Sequence, residues 1–452
     1  FCVFVLLFFF SVQEIHSQFD CDFNLEDRIE GLRELSNVDY LEIRINNDRK
    51  WVKNGLKIIK NNNENIGWSF KKSFKGTVKV KYKFGSCVHQ AKIRQTGDWK
   101  NHIAFVGGRL IQSLDITLKE NNIAGIVKFK VLIPKTRNSE NEIIGSILLR
   151  KLNFLSPRTR LMPVSVNGQT STMIFQEKIV KEFLESQYRR ESPLLEGDER
   201  FLWDKNYGDF FSKENISLSK QLNAEWSNLG SNPLYISIDA ISRLQNVYMG
   251  YSNQFPLKKL TLEIYKLANN SEHLLELWKE FEILMTIMNA SHGLRPHNRK
   301  FYWNPFYQGF EPVYYDGSFS INNFKISKDL QPLDLIWYQA NLSDSNFEGV
   351  IEKLKSINID SFEKDLQLAR VGATSIKPRQ IISTIINNVE SFRRMLKEKR
   401  NIALKNNLDA NSRDTRNNYY ERLSRAENDF YYVLNLLNGS SFLIDDKSCS
   451  IY

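Results

Sequence analysis

Cysteine is scarce in this chain of 452 residues: four in all, at positions 2, 21, 87 and 449. No group of them stands at zinc-ligand spacing, so a zinc-stapled fold is excluded and a hydrophobic core must hold the chain. Cys21 and Cys87 are candidates for one disulfide in an exported protein, a pairing that spacing alone does not decide. Proline (11) and glycine (21) are sparse as well, which excludes collagen-like and low-complexity chains. There is no large excess of one charge, since 62 Lys and Arg against 52 Asp and Glu leave +10. Spread over this length, that charge fits anionic ligands and points away from a dedicated nucleic-acid binder. A chain that is 42% hydrophobic can bury a large core, and its length suits about two or three domains.

Long hydrophobic runs are also missing. Phe1 to Phe10 (FCVFVLLFFF) is well short of the roughly twenty apolar residues that span a bilayer, and its length suits the apolar region of an export signal. Cleavage after Ile15-His16-Ser17 would start the mature chain near Gln18; a buried first strand or a retained short anchor is the alternative. Residues 1–17 are therefore expected to be a signal peptide or anchor, and the protein to be secreted, periplasmic or at the cell surface.

What is present is mostly alternation. Residues 38–83 read as strands, with Tyr40 to Ile45 and Val78 to Lys83 apolar and polar by turns. Further strands are expected at 114–118 and 126–133, then a helix at about 140–152 capped by Asn138-Ser139, with Ile143, Ile144, Ile147 and Leu148 on one face. Strands at 161–166 and 171–175 flank Asn167-Gly168, a strong hairpin signal. A helix is expected at about 178–188, an irregular insertion at 189–256, and a long helix at roughly 257–289, with Asn269-Asn270 as its candidate break. Its stripe of Leu274, Trp278, Phe281, Leu284, Met285 and Met288 reads as core. Beyond Asn323 the chain reads as helical to near residue 437. The basic residues around Arg393, Arg394 and Lys397 read as a solvated helix end, with an anion-binding patch as the alternative.

The segment Leu155-Ser156-Pro157-Arg158-Thr159-Arg160 through Asn167-Gly168, followed by Phe175-Gln176-Glu177-Lys178 and Glu182-Phe183-Leu184, resembles the atypical kinases of the spore-coat protein H (CotH) family. The likeness extends over about residues 90–320. It implies an α+β, two-lobed, protein-kinase-like fold: a β-rich region at 18–90, an N-lobe at 91–177, a C-lobe at 178–326 and a helical C-terminal extension at 327–452. It also implies ATP and Mg2+ as ligands. Phosphoryl transfer needs positioning and neutralised charge more than covalent chemistry. The resemblance puts a strand lysine, Lys130 or Lys128, with a helix glutamate, Glu142 or Glu140, on the phosphates; Lys119 is the rival lysine. Glu177 and Arg94 join the nucleotide site, with Arg94, Gly97, Asp98 and Lys100 as its lid.

His292 to Asn298 (HGLRPHN) resembles a kinase catalytic loop, which makes Asn298 and Asp316 the metal ligands, since hard oxygen donors suit Mg2+. Asp316-Gly317 has a plain alternative as a hairpin turn. The pattern's catalytic aspartate is replaced by Gly293, and His292 or His297 is left as the proton acceptor. Three functions stand side by side: an exported kinase acting on a protein or glycan hydroxyl at the envelope, a pseudokinase binding module, and a surface glycan-binding or assembly protein.

Overall fold

The structure is a computed structural model that describes residues 20–24, 28–106, 109–198, 219–252, 260–322, 324–325, 327, 330, 332–372, 377–410, 431–435 and 441–445. The expected signal segment lies outside them. No helix among the described residues is long and apolar enough to cross a membrane.

The alternating residues close into a barrel. Its elements are β1 (Asp20–Cys21), α1 (Ile29–Arg33), β2 (Val38–Ile45), α2 (Asp48–Lys60), β3 (Ser73–Tyr82), β4 (Gly85–Gln95), β5 (Ile103–Val106), β6 (Arg109–Gln112), β7 (Leu114–Leu118), β8 (Lys128–Leu132), α3 (Glu140–Lys151), β9 (Thr159–Val166) and β10 (Gln169–Glu177). The strands run in the order β4-β3-β2-β9-β10-β8-β7, and β7 pairs back onto β4, so seven strands form a ring with β1 added beside β4. Among the described barrel strands, β2 and β9 pair in parallel and the others antiparallel. One side of each strand fills the interior: Leu41 and Ile43, Val78 and Val80, Ile93, Ile116, Phe129 and Val131, Val164, Phe175. Closure removes the exposed edges that an open sheet would leave. The expected lobe boundary at residue 90 falls inside β4, so the two strand-rich parts are one barrel. Asn167 and Gly168 make the predicted turn, both with positive φ. Cys21 and Cys87, opposite each other on β1 and β4, are disulfide-bonded.

Residues 38–83 are not all strand. In α2, Trp51, Asn54, Gly55 and Ile58 are buried at helical spacing, and Asn47 caps the helix from a left-handed backbone. The cap side chain of Ser139 makes no hydrogen bond; Asn138 instead donates to the Phe319 carbonyl at 2.6 Å.

The remainder comprises α4 (Lys181–Glu185), β11 (Leu194–Gly197), β12 (Ser219–Gln221), α5 (Ala224–Ser227), α6 (Ser231–Ser252), α7 (Ile264–Ala268), α8 (Glu272–Ile287), β13 (Lys300–Asn304), β14 (Gly309–Val313), α9 (Pro332–Asn341), α10 (Asp344–Lys355), α11 (Ile359–Leu368), α12 (Pro378–Ala410), β15 (Tyr431–Asn435) and β16 (Ser441–Asp445); α6 to α12 surround a second core, and β15 pairs with β16. A small sheet in the order β12-β11-β13-β14 borders the barrel side. The chain is thus a mixed α+β protein with a strand-rich N-terminal and a helical C-terminal part.

Several expectations change here. Residues 189–256 are not irregular: β11, β12 and the 22-residue α6 form within them. The long helix is two, α7 and α8, separated where Asn269 and Asn270 take positive φ. The helix expected at 178–188 is only α4, five residues long. Within the expected helical tail, α12 is described to Ala410, and residues 431–435 form a strand, β15. Arg393 pairs with Asp344 at 2.9 Å and Glu348 at 2.8 Å, and Lys397 with Asp344, so these cations tie α12 to α10.

Candidate functional site

A cavity of about 890 Å3 opens at the seam between the barrel and the second core. Strands β4, β7, β8 and β10 supply one wall; the loop 291–298 and the segment after β14 supply the other. Nine Lys or Arg residues line it against five Asp or Glu residues, together with three histidines.

Lys130 is central. On β8 it lies opposite Asp115 of β7 and Gln176 of β10. Its ammonium donates to the Tyr315 hydroxyl at 2.7 Å, across the seam. Burial works against the charge, yet Tyr315 and Asp115 outweigh it and hold the Lys130 pKa above its ordinary value. Around Tyr315 stand two further cations: Lys300, 4.3 Å from the ring centre, and Arg137, 5.6 Å from it. Burial would raise the phenol's pKa, but Lys130, Arg137 and Lys300 bring it below the usual value.

The expected Lys–Glu pair does not form. Glu142 sits on α3, wholly buried, and accepts a 2.9 Å hydrogen bond from Tyr314. Burial, reinforced by Asp316, pushes its pKa up to about 8. Lys128 points to the neighbouring rim and pairs with Glu225 at 3.3 Å. Lys119 is exposed and outside the cavity lining. Glu177 lines the cavity, but its carboxylate is gripped by Arg158 at 2.6 Å, with a second bond from Nε at 3.0 Å. Arg94 reaches Asp115 at 2.8 Å, and Lys178 reaches the same carboxylate at 3.0 Å. Gly97, Asp98 and Trp99 line the rim, with Lys71 paired to Asp98; Lys100 turns away and donates to Asn61.

The loop 291–298 is held from behind. Arg299 donates to the Leu294 carbonyl and pairs with buried Glu282 of α8 at 2.6 Å, while Tyr248 of α6 donates to the Pro296 carbonyl at 2.9 Å. His292 faces Asp316 at 3.7 Å. The Asn298 side-chain nitrogen donates to the His292 carbonyl at 3.0 Å. Gly293 is enclosed: a Cβ there would lie 2.7 Å from the Met285 methyl and 3.0 Å from the Tyr315 carbonyl. A side chain at that position requires the Met285 methyl and the Tyr315 carbonyl to shift.

Asp316 is not a hairpin turn. It has φ of 50°, Gly317 has no positive φ, and β14 has already ended at Val313. Its Oδ2 is held by Arg137 at 2.5 Å. A divalent ion lacks a ready cage here. Arg137 holds one oxygen of the Asp316 carboxylate, the Asn298 nitrogen is engaged while its oxygen is not, and among the described residues no cluster of three His, Cys, Asp or Glu converges.

Sequence reasoning brought Lys130, Arg94, Glu177, His292, Asn298 and Asp316 to one cavity. It missed Arg137, Tyr315, Lys178, Lys300 and Asp115. Tyr315 adjoins Asp316 and Lys178 adjoins Glu177, a signal that was present. Arg137, in a short turn after β8, carried none.

No family model matches this chain, and no curated protein matches it. Among solved structures, the crystal structure of a Helicobacter pylori proinflammatory kinase, CtkA, aligns over 64% of this chain and 95% of that chain, at 14% identity and a TM-score of 0.31.

Proposed function

We propose that this chain is an exported, kinase-like protein whose seam cavity binds a nucleoside triphosphate through its phosphates. The observation that carries this is the state of Lys130. Its hydrogen-bond partner is a phenol, so an arriving phosphate takes the ammonium without breaking an ion pair with a carboxylate. The surrounding excess of cations supports the same ligand chemistry, because each neutralises phosphate charge in a partly water-excluded site. Arg137 and Lys300 flank Lys130 on the Tyr315 side, and Lys178 and Arg94 on the Asp115 side. ATP is the expected nucleotide. The Cys21–Cys87 disulfide favours export, since such bonds persist in oxidising compartments.

In the enzyme form of this reading, a protein or glycan hydroxyl at the envelope attacks the γ-phosphorus of ATP, the bond to the β-phosphate oxygen breaks and ADP leaves. His292 then takes the proton, and the cations carry the developing charge. Binding without transfer is favoured by a specific feature, the enclosed Gly293, which leaves the acceptor no carboxylate to orient it.

The test is calorimetric titration and thermal shift of the full chain with ATP, AMP and adenosine, with and without Mg2+. ATP should bind more tightly than AMP, and adenosine least. Equal binding of all three, or none, refutes phosphate recognition. Phosphate transfer to a denatured protein acceptor then separates enzyme from binding module.

A further inference from the structure

A second cavity, about 440 Å3, lies away from the seam, between α3, the start of β9, α11 and the turn after α1. Its size falls within the roughly 300–1,000 Å3 of small-molecule sites. Five Lys or Arg residues line it against two acidic ones, and the pairings leave the cations in surplus. Lys151 is neutralised by Asp365 at 2.7 Å, and Arg158 by Glu177 at 2.6 Å. Arg33, Arg150 and Arg160 have no acidic side chain within ion-pair distance among the described residues.

The hydrogen bonds of Arg150 and Arg160 go to neutral carbonyls. Arg150 donates to the Ser156 carbonyl at 2.9 Å, and Arg160 to the Leu35 carbonyl. Arg160 is 3% exposed, and its Nε has no hydrogen-bond partner. A buried guanidinium with no carboxylate in contact is costly, and an anion in the adjoining space reduces that cost. Burial and the nearby Arg370 press its pKa down to about 10, against the weaker opposing pull of Asp39. Leu35, Ile147 and Leu368 form an apolar side of the same cavity.

We propose that this cavity is a second anion site, separate from the nucleotide cleft, in which Arg33, Arg150 and Arg160 hold the phosphate of a small phosphomonoester. Guanidinium forks suit a phosphate's planar pairs of oxygens, and three of them match a dianion better than a carboxylate. The apolar wall receives the organic part. The site stands whether or not the seam cavity binds ATP, because the two share only Arg158's partner Glu177, which the second cavity does not use for its ligand.

The experiment is titration of the full chain with orthophosphate and with phenyl phosphate, each against wild type, Arg33→Ala, Arg150→Gln and Lys130→Ala. Phenyl phosphate should saturate the wild type. Arg33→Ala and Arg150→Gln should each weaken it by about tenfold, the loss of one charge-assisted contact, while Lys130→Ala, which removes only binding in the seam cavity, retains saturable binding. Tighter binding of phenyl phosphate than of orthophosphate assigns the site to a monoester; equal binding assigns it to the free anion, with the same arginines. Arg160→Gln is the strongest variant but removes a buried contact, so Arg33→Ala, at an exposed residue, keeps the test valid if Arg160→Gln does not fold. No saturable binding, or binding that survives both arginine variants, or binding lost in Lys130→Ala, overturns the proposal.

Discussion

Lys130 and Tyr315 are 185 residues apart in sequence and 2.7 Å apart in space, and their hydrogen bond crosses the seam between barrel and second core. The bond joins the ammonium on which the proposed nucleotide site rests to the residue next to Asp316. It also makes the phenol the group that a phosphate would displace.

Replacing Lys130 with Ala should therefore weaken ATP binding by at least about tenfold, the size of one charge-assisted hydrogen bond. Tyr315→Phe keeps the ammonium and should retain binding. Calorimetry on both variants checks this; equal losses would mean that the phenol, not the lysine, receives the ligand.

Arg137 holds the carboxylate that a divalent ion would use. In Arg137→Gln that carboxylate is released, and Mg2+ should strengthen nucleotide binding by about tenfold, or about 1.4 kcal/mol, where it leaves the wild type nearly unchanged. Titrations with EDTA and with Mg2+ read the difference. A wild type that already depends strongly on Mg2+ would show that Arg137 yields its place.

Glu142 links stability to pH. Burial, with Asp316 beside it, raises its folded pKa to about 8 from 4.5, so between those values the folded chain keeps a proton that the unfolded chain releases. Stability should fall as pH rises through that window, and Glu142→Gln should flatten the fall. Urea melts of both proteins at several pH values give the slopes. His102, pressed down to about 3 by burial and then by Arg137, acts in the opposite sense: its contribution is lost as pH drops below 6.5. Comparing the two proteins isolates Glu142; identical slopes would refute its role.

Gly293→Asp restores the carboxylate of the kinase pattern in sequence alone. With the Met285 methyl 2.7 Å from a Cβ, it should cost about 1–3 kcal/mol through overpacking and give no gain in phosphate transfer. Denaturant melts and transfer assays measure the two effects. A stable, more active variant would show that the loop opens.

Reduction of Cys21–Cys87, which closes a 66-residue separation, should lower stability by about 2–5 kcal/mol. Melting with and without reductant is the measurement. An unchanged midpoint would show that the barrel closes without the bridge.

Much of the fold was legible because it depends on local periodicity. The alternation of Val78 and Val80, or of Phe129 and Val131, requires a strand with one buried side, and Asn167-Gly168 requires a tight turn, whatever the rest of the chain does. The stripe from Leu274 to Met288 likewise had to face a core. Failures came where the pattern was weak or mixed: α2 was hidden among strands by its many lysines, and α6 by the scattered polar residues of 231–252. With α6 unseen, Tyr248 could not be recognised as a support of the loop 291–298.

The candidate site divides along the same line. Residue types near Lys130, His292, Asn298 and Asp316 were readable as phosphate chemistry because charge and hydrogen-bonding capacity belong to the side chain. Their partners were not, because an ion pair is decided by distance in space. Glu142 looks like a lysine's partner in sequence, yet burial on α3 turns it to Tyr314. Arg137 looks like a turn residue, yet the closing of the seam sets it on Asp316. Composition and pattern settled which elements form and what chemistry they carry; the packing of barrel against helices settled which charges meet, since only tertiary contact fixes separations of a few ångströms between residues so far apart in the chain.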